Sequence, residues 1–177
     1  MSELSPQQRR QAMVDRAKTC LPVDFRYSLG CGGWEPTDKL PATLVWRRPK
    51  GKFLPVKALW CDCSGFISWL IGLSRKHTIV PGLWGISSVS IYRDAVDTSK
   101  QKYFRTLLPT EQVEAGDFLV YPDYRDPETG KSKQGHCAIV VNPAFHIVID
   151  MASSTDGVTR RVASYWSKSV VVRYVGP

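Results

Sequence analysis

The sequence has no apolar run long enough to cross a bilayer, which excludes a helical membrane span. Its opening residues, Met1 to Arg16, are polar and lack the apolar core of a Sec signal, so cytoplasmic synthesis is expected, with action elsewhere left open. Internal repeats, low-complexity segments and a domain boundary are all absent, and 177 residues suit one domain with a real core, spanning residues 1–177. The cysteines do not pair up. Five of them (Cys20, Cys31, Cys61, Cys63, Cys137) at irregular spacing argue against a disulfide framework. Zinc is poorly served too, because Cys61-x-Cys63 is tighter than the usual knuckle and no second knuckle follows. Reduced thiols, one of them reactive, are the expectation, with no metal or cofactor.

What is present is ordinary for a globular chain: 43% hydrophobic and 23% charged residues. The net charge of +8 calls for an anionic partner such as nucleic acid, an anionic membrane or an acidic wall polymer. The charge is spread over pairs (Arg9-Arg10, Arg47-Arg48, Arg75-Lys76, Arg160-Arg161), which makes nucleic acid the weakest of these.

Helical signals come first along the chain. Ser5, Pro6 and Gln8 form a capping box that predicts a helix from residue 6 to about Cys20. Phe66, Trp69, Leu70 and Leu73 carry helical spacing that predicts a second helix from Phe66 to Arg75, and a third is expected from Ser88 to Val96. Between them, Trp34 to Leu59 is broken by Pro36, Pro41, Pro49 and Pro55 and made basic by Arg47, Arg48, Lys50 and Lys52. Only Ala42–Trp46 suggests a short strand there, and the stretch reads either as one wall of a cleft or as a surface insertion. Strands rich in β-branched residues are expected at 116–121, 137–141, 147–150 and 170–175, joined by short turns that favour antiparallel pairing. Helices first and strands later is an α+β plan, a helical layer on an antiparallel sheet.

The chemistry centres on Trp60-Cys61-Asp62-Cys63-Ser64-Gly65-Phe66. A cysteine at a helix start meets the positive end of the macrodipole and unpaired N–H groups, which favour the thiolate; the alternative is a buried structural cysteine. A base is needed, and there are three histidines. His77 follows Arg75-Lys76 and reads as a solvated helix-end cation. His146 lies in a turn, while His136 opens a strand after Gly135, where its ring can sit over a helix start. Asp150 ends an apolar strand, where a carboxylate is costly unless paired, either with His136 or as a turn cap.

In this order, Asp62-Cys63-Ser64-Gly65-Phe66, Gly116-Asp117, Gly135-His136-Cys137-Ala138-Ile139, the turn Ala152-Ser153-Ser154 and Gly157-Val158 resemble the NlpC-type cell-wall cysteine peptidases, over residues 27 to the C-terminus. The resemblance implies a papain-like α+β fold, with Cys63 as nucleophile and His136 as base. Asp150 best matches the third position, with Met151 in the adjoining slot and His146 as fallback. Tyr27 is matched to the tyrosine that positions substrate or oxyanion, Asp62 and Ser64 are grouped with it on the substrate side, and the Cys63 N–H supplies an oxyanion donor. Cys137, by alternation, points away from His136 as a small core residue.

The implied activity is endopeptidase or amidase cleavage in peptidoglycan, as a phage lysin or an antibacterial effector with its immunity protein. Acyl transfer to an amine, or wall binding without catalysis, are the other classes the residues leave open.

Overall fold

The computed structural model describes residues 4–35, 37–47, 56–99 and 102–176. Helix α1 (Pro6–Thr19) starts as its capping box dictates. The Ser5 N–H donates to Gln8 Oε1 over 2.8 Å, the Gln8 N–H to Ser5 Oγ over 3.3 Å, and Met13, Val14 and Ala17 form its buried face. Helix α2 (Cys63–Leu70) is buried along all eight residues, as expected of a helix apolar on every side. It ends at Leu70, well short of Arg75, because Gly72 adopts φ +73° and closes a Schellman motif. The Gly72 N–H bonds Trp69 O at 3.1 Å and the Leu73 N–H bonds Ser68 O at 3.0 Å. Leu73 therefore lies beyond the helix its spacing suggested. Helix α3 (Ser88–Val96) has the expected bounds and a Ser87–Ser90 capping box.

A short β1 (Phe25–Tyr27), β2 (Thr43–Arg47) and β3 (Val56–Cys61) precede α2. The remaining strands are β4 (Phe104–Thr106), β5 (Phe118–Tyr121), β6 (Tyr124–Arg125), β7 (Ser132–Lys133), β8 (His136–Asn142), β9 (Ile147–Ala152), β10 (Gly157–Val162) and β11 (Val170–Tyr174). Six of these form one antiparallel sheet in the order β10-β9-β8-β5-β11-β4. Alternation along the strands gives it two buried faces. Phe118, Val120, Ile139, Ile149, Met151 and Val172 meet the helices. Leu119, Ala138, Val140 and Val148 lie on the other face, under Ala163, Tyr165 and Trp166. The α+β plan of a helical layer on an antiparallel sheet is the architecture found.

A second sheet corrects the reading of the proline-broken stretch. β3 is its central strand, parallel to β1 and antiparallel to β2. A strand whose two neighbours share its backbone groups tolerates little deviation, and β3 runs straight into the Asp62 cap and Cys63. So part of 34–59 positions the α2 start. Among the described residues of this stretch, none lines the cleft described below. Pro36, Arg48, Pro49, Lys50, Lys52 and Pro55 lie outside the described residues.

Candidate active site

Asp62 sets the geometry from which everything else is built. Its backbone is extended (φ −126°, ψ 177°), and its side chain caps α2 by accepting from the Gly65 N–H at 2.8 Å. The same carboxylate takes a two-pronged ion pair from Arg75, Nη1 to Oδ1 at 2.5 Å and Nη2 to Oδ2 at 2.7 Å, and accepts the Gly30 N–H at 2.6 Å. Arg75 also donates to Cys31 O at 2.8 Å. Asp62 is fully buried and Ser64 nearly so, with the Ser64 hydroxyl donating to Asp62 Oδ1 at 3.1 Å. Both expected substrate-side residues are thus turned into the protein, locking the loop before α2. Gly65 has no room for a side chain, since a Cβ there would fall within 2.8 Å of Gly32 O.

Cys63 occupies the first helical position, where its own N–H has no partner within the helix. Its sulfur is hydrogen-bonded to His136 and to Cys137, which come from the start of β8. His136 Nε2 lies 2.7 Å from Asp150 Oδ2, leaving Nδ1 as the ring nitrogen for the thiol. Asp150, in the middle of β9, is wholly buried and accepts more than the histidine. Arg161 donates from Nε at 3.1 and 3.2 Å and from Nη2 at 2.6 Å, and the Tyr165 hydroxyl donates at 2.8 Å. Tyr165 also stands edge-on to the imidazole, centroids 5.3 Å apart at 90°. The ring is fixed on two sides.

The electrostatics follow from these contacts. The Cys63 thiol is pushed below the ordinary thiol range, first by the hydrogen bond from Cys137, then by the hydrogen bond and charge of His136, against the cost of burial. Cys137 moves the opposite way: burial, and then the neighbouring Cys63, hold it well above the usual value, so it remains a donor. Burial lowers the His136 pKa, but the hydrogen bonds to Asp150 and Cys63 outweigh it and lift the ring to about 9. Asp150 resists the penalty of burial through His136 and Arg161 and lies below the usual carboxylate value. Thiolate and imidazolium are the stable pair at neutral pH, and the arrangement can attack a carbonyl and protonate a leaving group.

Tyr27 lies half-buried at the end of β1, paired in register with Cys61. It lines a cleft of about 250 Å³ together with Tyr121, His136, Ser154, Arg161 and Tyr165. His146 is elsewhere engaged: it takes a left-handed conformation (φ 52°) after a 3-10 turn and stacks on Trp166, centroids 4.3 Å apart. Met151 is in the helix-side core. Asp150 is therefore the group that meets His136. His77 is not a solvated helix end, since α2 stops earlier and His77 Nε2 lies 2.6 Å from the Tyr103 hydroxyl. Cys61 is buried against Pro41 O and Asp62 O. Among the described residues, no group of three or more metal-ligating side chains is close enough to hold an ion.

Sequence reasoning missed Arg161 and Tyr165. The register that pairs Thr159 with Asp150 puts Arg161 two residues along β10 on the same face, a signal available only once the strand is known.

No family model matches the chain, and no curated protein matches its sequence. Solved structures do match its fold. The peptidoglycan hydrolase RipB from Mycobacterium tuberculosis superposes with a TM-score of 0.54 at 16% identity, covering 100% of this chain and 69% of that one. The resuscitation promoting factor interacting protein RipA, in a form mutated at a histidine, gives 0.57 at 16%, covering 100% and 67%. The P60 domain of an antigen from M. avium paratuberculosis gives 0.53 at 17%, covering 96% and 95%. The chain has the α+β fold of these proteins, the fold that its NlpC-type resemblance implied.

Proposed function

We propose that this protein is a cysteine hydrolase of amide bonds in the peptide part of peptidoglycan. One observation carries the proposal: a pKa-lowered thiol at a helix start, bonded to an imidazole that is itself bonded to a buried carboxylate. Cys63 thiolate adds to the carbonyl carbon, and the oxyanion meets the Cys63 N–H, which has no partner within the helix, with Tyr27 at the cleft edge. The imidazolium of His136 protonates the departing amine, releasing it and leaving an acyl-enzyme thioester. His136, now neutral, takes a proton from water; the hydroxide displaces the thiolate and the acid product leaves. Asp150 holds the ring in the tautomer and orientation both steps need. The shared fold with peptidoglycan hydrolases supports the substrate class, and the surplus of positive charge supports an anionic wall. Release as a phage lysin and delivery as an antibacterial effector are the two settings that suit the chemistry, told apart by a neighbouring holin or immunity gene.

Lysis of purified cell walls, followed by turbidity and by mass spectrometry of the released fragments, tests the reading. Cys63→Ala and His136→Ala are each expected to lose at least about 1,000-fold in rate. Lysis that survives either change sinks the assignment, and the fragment masses name the bond cut.

A further inference from the structure

The nucleophile and its base stand on different sheets. β3 leads into Cys63, while β8 and β9 carry His136 and Asp150. β1 belongs to the first sheet: Tyr27 pairs with Cys61, and the next N–H, that of Ser28, donates to Cys61 O at 2.9 Å. The Tyr27 N–H itself crosses to the second sheet and donates to Asp156 Oδ1 at 2.9 Å. Asp156 lies in the turn between β9 and β10, and its other oxygen accepts from Arg26 Nη1 at 3.0 Å. Its φ is +50°, a left-handed conformation that Asp and Asn tolerate better than other residues with a Cβ. The main chains approach closely as well, since a Cβ at Gly157 would come within 3.2 Å of Phe25 O. The turn held in this way includes Ser153 and Ser154, which line the cleft with Tyr27 and His136.

The two bonds to Asp156 differ in consequence. Arg26 and Asp156 are both well exposed, so their ion pair is screened and contributes little. The bond from the Tyr27 N–H fixes where a cleft side chain stands. Burial, and then the charge of nearby Cys63, hold the Tyr27 hydroxyl above the usual phenol range, so it remains a donor beside the thiol. A donor stabilises an oxyanion well only when it is in place before the charge develops. We infer that Asp156 is a positioning residue: by tying the Tyr27 main chain to the β9–β10 turn, it fixes the Tyr27 hydroxyl as a donor to the oxyanion formed at Cys63. The inference deepens the hydrolase reading and rests on it for the oxyanion.

The test reads acylation of Cys63 by p-nitrophenyl acetate, an activated ester, from the burst of nitrophenolate, with wall lysis measured alongside. Attack on the ester passes through an oxyanion. Alkylation of the same thiol by iodoacetamide does not, and it normalises each variant for folded, reactive protein. Asp156→Gly keeps the left-handed backbone and removes the acceptor. Its ratio of acylation rate to alkylation rate should fall at least about tenfold. Asp156→Asn retains a side-chain oxygen for the Tyr27 N–H and should recover most of that loss. Tyr27→Phe should lower the ratio too, and adding Asp156→Gly to it should cost little more, since both changes remove the same donor. An unchanged ratio in Asp156→Gly or in Tyr27→Phe, a loss that Asn does not rescue, or losses that multiply in the double variant each overturn the inference. Acylation that follows the expected pattern while walls stay intact supports the role of Asp156 and sinks the hydrolase reading alone.

Discussion

At the scale of single residues, the pair Cys137 and Cys63 makes the sharpest prediction. Cys137 is the largest influence on the Cys63 thiol, and it acts as a donor because its own proton is held tightly. Removing that donor in Cys137→Ala destabilises the thiolate. The acid limb of alkylation of Cys63 by iodoacetamide should therefore move to higher pH, while the alkaline limb of turnover, set by loss of the His136 proton near about 9, stays where it is. An acid limb that does not move removes Cys137 from the account. Legibility at this scale tracks locality. Cys63 could be read because its cap, small neighbours and apolar helix are contiguous, and Asp150 because a carboxylate in an apolar strand demands a partner. The internal contacts of Asp62 and Ser64 were hidden for the opposite reason. Their partner, Arg75, lies past the end of α2 and reads in sequence as a surface cation beside Lys76. With one member gone, Asp62→Ala strands a buried guanidinium as well as uncapping α2, and is expected to cost about 3–5 kcal/mol of stability in urea unfolding.

Elements explain how the thiol is aimed. β3 reaches Cys63 as the central strand of its own sheet, and the loop 28–33 packs beneath the first turn of α2. Gly33 is held at φ +67° against that turn, where a Cβ would fall within 2.9 Å of Gly65 Cα with still closer contacts to Ser68 and the Gly65 carbonyl. Gly72 has a similar φ of +73° with open space around it. The two glycines separate strain from collision. Gly72→Ala should cost only the left-handed penalty, about 1–2 kcal/mol, and leave wall lysis intact. Gly33→Ala adds displacement of α2 and should cut activity at least about tenfold at a temperature where the protein remains folded. Equal effects on lysis would mean that the loop does not hold the helix. The helices and the long strands were plain in the sequence because they bury a regular stripe. β1, β3 and β10 were not: their pairing comes from distant segments, and the prolines around β3 and the Arg160-Arg161 pair in β10 mask any period.

For the whole molecule, the question is what the charge of +8 does once the chain is folded. Several arginines are consumed internally: Arg75 by Asp62, Arg161 by Asp150, Arg173 by Asp117, and Arg105 by Glu111. Each such pair also consumes an acid, so the surplus is undiminished and is carried by exposed groups such as Arg160, Lys168, Arg125 and Lys131. Charges at the surface act over a Debye length of about 10 Å at 0.1 M salt, so attraction to an anionic wall is a long-range contribution that salt removes. Sedimentation of the Cys63→Ala protein with purified walls should therefore show retention falling steeply between about 0.05 and 0.5 M salt. Reversing two exposed cations, Arg160→Glu with Lys168→Glu, should mimic high salt at low ionic strength. Retention indifferent to both would place wall recognition in the cleft and not in the surface charge.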